Sequence, residues 1–263
     1  MESFRGRFRL HPGYDEEGTS IPHRCSSITP EYIADKTPLI IPPTMTDTTL
    51  IKKYALLIAG LFFMGLGISL ITKSYLGTSP ISSIPYVLCL IFPVSFGAFA
   101  FLLGVFFLLI EILILRKDFP KIQILQVFVG LLLGVSINTG MHLLSFVDPA
   151  FYAARIVTLL AGCVVLALGV YLEISSNTFV YPGDAVVKVI ADKIGKKFGS
   201  TKIAFDTTLC CTAGIISYFS VGTLEGLGEG TIISALLVGY IITAISTIFV
   251  YFNVGKDAKQ GTN

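Results

Sequence analysis

The chain has 263 residues, 53% of them hydrophobic and 14% charged, with no Trp and a formal net charge of +2. So little charge excludes the surface of an ordinary soluble domain and leaves lipid as the solvent, and so small a net charge excludes a nucleic-acid-binding surface. Five cysteines without a CxxC pair and three unclustered histidines give no support to a metal, disulfide or other cofactor site, and none is expected.

Residues 1–50 read as a polar, Pro- and Thr-containing tail expected to be disordered, with Arg5, Arg7 and Arg9 alternating in a solvated stretch. Asp15, Glu16 and Glu17 stand where a cleaved export signal needs its apolar core. A bilayer core about 30 Å thick takes roughly 20 apolar residues at about 1.5 Å each. Windows of that length fall at 54–72, 96–115, 122–145, 152–174, 203–222 and 231–252. Segments 80–92 and 184–197 are too short to cross, and the second carries Lys188, Asp192, Lys193, Lys196 and Lys197, so both are expected as half-helices or interfacial helices. Tyr54, Tyr152 and Tyr251 supply the interfacial anchors that Trp would otherwise provide.

Positive charge tests this count. Lys52 and Lys53, Arg116, Lys117 and Lys121, the lysines from Lys188 to Lys202, and Lys256 and Lys259 all fall on one side if the short segments do not cross. The loops at 145–150 and 223–230 contain no Lys or Arg, leaving Lys73 and Arg155 near the other side. The positive-inside rule therefore favours six spans over eight, with both termini in the cytoplasm. The order of one long span, one short segment and two long spans occurs twice, at a shift of about 104 residues that lays Gly65 on Gly169 and Gly77–Pro80 on Tyr181–Asp184. Three spans per half invert the second copy. The expected fold is an all-α membrane protein of about six transmembrane helices in a 3+3 inverted repeat, with repeats at 51–148 and 149–254 and a cytoplasmic tail at 255–263.

Each break resembles a helix start, with Ser79 before Pro80 and Asp184 after Pro182 and Gly183. Helix starts that dip into the membrane offer free N–H groups to an anion or carboxylate-bearing solute; Ser79 and Asp184 acting as simple caps is the plainer alternative. Glu111, Glu173, Arg155 and His142 lie near span ends, where they are expected to reach water. Asp206, one turn into the fifth span beside Thr207 and Thr208, suits a cation or a proton, or else pairs with Lys202 one turn back. Asn138, Thr139, Asn177 and Thr178 suit cavity lining or contacts between helices. Gly130 and Gly134 form a GxxxG pattern that fits close packing within the chain or between subunits of a homo-oligomer. The candidate solute-binding residues are thus Thr78, Ser79, Asn138, Asn177, Thr178, Gly183, Asp184 and Asp206. Glu225–Gly230 lacks the GKS/T ending of a phosphate loop, and no catalytic constellation falls on one element, so no enzyme is expected.

The stretches LGTSPISSIPYVL (76–88) and NTFVYPGDAVVKVIADKIGKKFG (177–199), followed by KIAFDTTL and GEGTIISALLVGY, resemble the YczE/YyaS/YitT-like family of bacterial integral membrane proteins. That resemblance implies a multi-pass protein of a bacterial cytoplasmic membrane and no established substrate. The functional expectation is a secondary transporter or permease for a small polar or anionic solute, with lipid as surroundings; a non-transporting scaffold or regulatory protein is the alternative.

Overall fold

The computed structural model describes the backbone of residues 47–196 and 198–260. Residues 1–46, with Arg5, Arg7, Arg9 and Cys25, lie outside the described residues, as do the side chains of Tyr251, Lys256 and Lys259. Every regular element among the described residues is helical: α1 (Asp47–Lys73), α2 (Ser83–Ile91), α3 (Phe96–Leu115), α4 (Gln126–Leu143), α5 (Tyr152–Ser176), α6 (Pro182–Ile194), α7 (Phe198–Val221) and α8 (Glu229–Gln260), with short 3-10 stretches leading into α2 and α4. Helices α1, α3, α4, α5 and α7 are long and apolar enough to cross a bilayer. The 32-residue α8 is the sixth long helix, its described apolar stretch being Glu229–Ile242. Helix α1 opens at Asp47, inside the stretch read from sequence as tail.

Lipid gives helices no hydrophobic reason to associate, so the bundle depends on close van der Waals contact, which small residues permit. At its centre α1 and α5 run antiparallel. A Cβ on Gly60 would meet Glu173 N at 2.8 Å, and one on Gly162 would meet Ile71 N at 2.8 Å. Leu61, Ile68, Ile71, Leu159 and Cys163 fill this seam and are fully buried. Helix α4 lies parallel to α1 on its other side, where Gly65 packs on Ser136 and Ser69 Oγ donates to Gly65 O at 2.8 Å and Ile137 O at 3.1 Å. Helix α3 runs antiparallel to α4, with Gly97 against Gly134, and Phe101 against Gly130 and Gly134, so the GxxxG pair serves an intramolecular contact. Around this core α5 packs on α8, α3 on α6, α2 on α7, α2 on α3 and α6 on α7. Outward-facing Leu113, Phe128, Val157, Ile203 and Phe219 are exposed as a lipid-facing surface requires.

These directions bring Lys52, Lys53, Arg116, Lys117, Lys121 and the Lys193–Lys196 end of α6 to one end of the bundle, called here the basic end. Local stops follow from residue type. Asn177 closes α5 in the left-handed region (φ 51°) and Gly195 closes α6 (φ 65°). Pro182 opens α6 and Pro80 opens the turn into α2, where a missing N–H costs nothing.

Candidate functional site

The second break is a true half-helix. Tyr181, the N-cap of α6, lies against Gly104 near the middle of α3, and its hydroxyl donates to Ala100 O at 3.3 Å. Thirteen residues later the helix ends level with the basic end, where Lys193 Nζ donates to Ile114 O at 3.4 Å. Helix α6 thus runs from mid-depth outward rather than along an interface.

Glu173 was expected to reach water at the end of its span. The chain after Asn177 instead folds back and covers it, leaving it 1% exposed. Its Oε1 accepts the Tyr181 N–H at 2.9 Å, whereas Oε2 has no hydrogen-bond partner among the described residues. The Asp184 N–H is held by Tyr181 O at 3.0 Å. The positive pole of this helix start is therefore met by the protein's own carboxylate. Beside it, Lys202 Nζ bridges Asp184 at 2.8 Å and Asp206 at 3.1 Å. The side chains of Lys202, Asp184 and Asp206 are 26%, 24% and 17% exposed, so the trio is partly desolvated but open to one side. Two carboxylates share one ammonium, an excess of negative charge that suits a proton or cation better than an anion.

The first break is a hydroxyl network. Between Ser74 and Ser79 the chain is non-helical, with Gly77 at φ 123°, packed beneath Gly228 and Thr231. Thr78 N–H donates to Gly226 O at 3.0 Å. Thr72 Oγ1 spends its proton on Ile68 O at 2.8 Å, so Thr78 donates to Thr72 (2.9 Å), and Ser82 Oγ lies within hydrogen-bond distance of Thr78 Oγ1 (3.0 Å), Ser79 Oγ (2.5 Å) and Ser79 O (3.1 Å). Ser83, whose hydroxyl donates to Pro80 O at 2.6 Å, lies beside Cys210 in the middle of α7.

The two breaks meet. Ile81, in the turn entering α2, lies over Gly183, where a Cβ would come within 2.6 Å of Ile81 Cδ1 and 2.9 Å of the Tyr181 ring. Thr78, Ser79, Gly183, Asp184 and Asp206 are therefore brought to the two sides of one junction. Ser79 makes no side-chain cap, so its role is in the hydroxyl chain. Three candidates lie elsewhere. Asn138 clasps the start of α3, accepting from Gly97 N at 2.8 Å and donating to Ser95 Oγ at 3.0 Å. Asn177 is the left-handed cap of α5, and Thr178 Oγ1 pairs with Ser176 Oγ at 2.8 Å beyond it. Of the remaining polar residues, His142 is exposed, and half-buried Arg155 lies over the Tyr75 ring with its Nε donating to Pro149 O at 3.4 Å. Glu173, Tyr181 and Lys202 join the site without having stood among the candidates; a carboxylate four residues before an Asn-terminated helix was the available signal.

Among known proteins, the family DUF6198, described as a family of unknown function, matches residues 51–247. The chain is 28% identical over 196 residues to the "Uncharacterized membrane protein YczE" of Bacillus subtilis (strain 168), covering 73% of this chain and 85% of that one. No solved structure matches.

Proposed function

The chain belongs to DUF6198, that family of unknown function, as a YczE-like membrane protein, and we propose that it is a secondary transporter for a small polar solute, with the junction of its two breaks as the binding site. The observation that carries the reading is the contact of Ile81 with Gly183, which joins two interrupted helix starts inside a multi-helix membrane bundle and beside a charged cluster. Ionisable groups inside a membrane are costly to keep, and relay or binding of charge is their common use.

The inverted 3+3 repeat is part of this proposal. Its support is the pairing of elements: α3 with α6 as α7 with α2, α1 with α4 as α5 with α8, and α2 with α3 as α6 with α7, around the central α1–α5 crossing. Alternating access then consists of one half rocking against the other about that crossing. Protonation of the Glu173–Asp184–Asp206 group would release Lys202 from one carboxylate and couple a proton to the movement. The charge excess favours a proton with a neutral or cationic solute over the anion that free helix starts would suit. The basic end faces the cytoplasm of a bacterial cell under the positive-inside rule. Reporters fused after Lys117, Pro149 and Gly226 test this, with only the first expected inside.

A scaffold or regulator is the competing reading, and the internal pairing of Lys202 with both aspartates is the observation in its favour. Asp184→Asn and Asp206→Asn, each tested for thermal stability and for solute flux in reconstituted vesicles, separate the two. Lost flux at normal stability supports transport, and altered stability with no flux from any variant, wild type included, sinks it.

A further inference from the structure

The Gly-rich connection from α7 to α8 packs against the first break, at the end of the bundle opposite the basic end. Thr78 N–H donates to Gly226 O at 3.0 Å, and Gly230 N–H donates to Leu76 O at 2.8 Å. A Cβ on Gly77 would meet Gly228 N at 2.9 Å, and one on Gly226 would run into the Tyr86 ring of α2. Thr223, Leu224 and Glu225 of the connection are exposed, whereas Thr78, Ser79, Ser82 and Ser83 beside it are at most 4% exposed.

Few contacts hold residues 223–227 in place. Toward α7, Ser217 Oγ donates to Thr223 O at 2.7 Å and accepts the Glu225 N–H at 2.8 Å, and Leu224 and Leu227 lie against Gly214. Toward the break, the same residues offer the Gly226 carbonyl and the contact with Tyr86. Gly222 opens the segment at φ 81° with open space around it, and Gly226 sits at φ 74°, conformations that glycine adopts freely. Beyond it the first turn of α8 is pinned, Thr231 N–H donating to Gly228 O at 3.1 Å and Gly228 N–H to Thr231 Oγ1 at 3.3 Å.

Non-helical backbone inside a membrane protein needs either a protein partner or water. With the connection in place, Thr78 N–H has the first; with it lifted, water entering the break supplies the second, so the stretch has two satisfied states. We propose that residues 222–228 form a hinged lid, closed in this structure, whose opening admits water and small polar solutes to the Thr78, Ser79 and Ser82 hydroxyls from the face opposite the basic end. The lid takes its purpose from the transport reading, as the gate to the same junction, but its opening is measurable without any solute.

The test places a thiol beneath the lid in the full chain purified in detergent. Ser79→Cys is treated with a charged, water-soluble thiosulfonate, wild type gives the background of the native cysteines, and peptide mass spectrometry locates the label. Gly226→Ala in the same chain puts a methyl against the Tyr86 ring and a side chain at positive φ, both relieved when the lid lifts. A side chain in the left-handed region shifts such an equilibrium about tenfold, so labelling at position 79 is expected to be about ten times faster with Gly226→Ala than without. Gly195→Ala, at φ 65° near the basic end with nothing close to its Cβ, is expected to leave the rate unchanged. Equal rates with and without Gly226→Ala, or a rate without it as high as that at exposed Glu225→Cys, would overturn the proposal. If Ser79→Cys does not fold, amide exchange of wild type decides: 74–79 and 222–228 are expected to exchange together and faster than the α1–α5 seam. Protection of 74–79 equal to that of the seam rejects the lid. Labelling that follows Gly226→Ala in a protein that moves no solute removes transport and leaves the lid, whereas solute uptake by a protein whose position 79 is never labelled removes the lid and leaves transport.

Discussion

Replacing Lys202 by Met removes the ammonium that holds Asp184 at 2.8 Å and Asp206 at 3.1 Å. At an effective dielectric constant of about 20 these contacts represent gross attractions of about 6 and 5 kcal/mol, most of which offsets the desolvation of the ions. What the substitution costs is set by the two carboxylates left facing each other. Breaking a buried pair costs about 3–5 kcal/mol, and because Lys202, Asp184 and Asp206 keep 26%, 24% and 17% exposure, the lower figure of about 3 kcal/mol applies. That corresponds to a fall of about 9 °C in the unfolding midpoint. Intrinsic fluorescence of the detergent-purified protein on heating measures it. The sign with pH follows from the same repulsion: without Lys202 the folded state takes up protons to relieve it, so the deficit shrinks as pH falls. Adding Asp184→Asn to Lys202→Met removes one of the two charges and restores part of the midpoint, a non-additive result that contact between the three groups requires. An unchanged midpoint in Lys202→Met, or no relief from the second substitution, would refute the argument.

Glu173→Gln keeps an acceptor for the Tyr181 N–H and is expected to hold its midpoint, whereas Glu173→Leu orphans that N–H and loses about 1–3 kcal/mol by the same measurement. Asn138→Leu gives up its bonds to Gly97 N and Ser95 Oγ and is expected to cost about 1–2 kcal/mol of stability with no change in solute flux, because it joins α3 to α4 away from the junction. Gly183→Val drives a branched side chain into Ile81 and the Tyr181 ring, costing about 1–3 kcal/mol. Ile81→Ala in the same chain recovers part of that loss if the two breaks meet as described.

Apolar length made the membrane helices legible, since a bilayer of fixed thickness leaves little choice over where a span begins and ends. Pro80, Pro182 and Asn177 made the breaks legible, because proline opens helices and asparagine tolerates the left-handed cap. The pairing of Asp206 with Lys202 was readable from their spacing of one helical turn. Glu173 was not readable in the same way: its depth depends on the chain after Asn177 turning back into the bundle, which distance from the span end does not reveal. Glu111 was misjudged for a similar reason, because its face of α3 is turned inward. Asn138 and Asn177 illustrate the reverse error, polar residues whose bonds hold helix ends rather than line a cavity. The hydroxyl chain through Thr72, Thr78, Ser82 and Ser79 arises only when the non-helical stretch brings α1 and the turn into α2 together.

The central claim is that the junction of the two breaks moves solute across the membrane. Its most direct measurement is uptake into vesicles carrying the reconstituted chain, across a panel of small neutral, cationic and anionic solutes with and without an imposed proton gradient, comparing wild type with Asp206→Asn. Asp206→Asn leaves Lys202 paired with Asp184 and so preserves the fold. The account predicts gradient-dependent uptake of at least one neutral or cationic solute by wild type and its loss in Asp206→Asn at nearly unchanged thermal stability. Absence of uptake for every solute under every gradient, or uptake indifferent to Asp206→Asn, would contradict it.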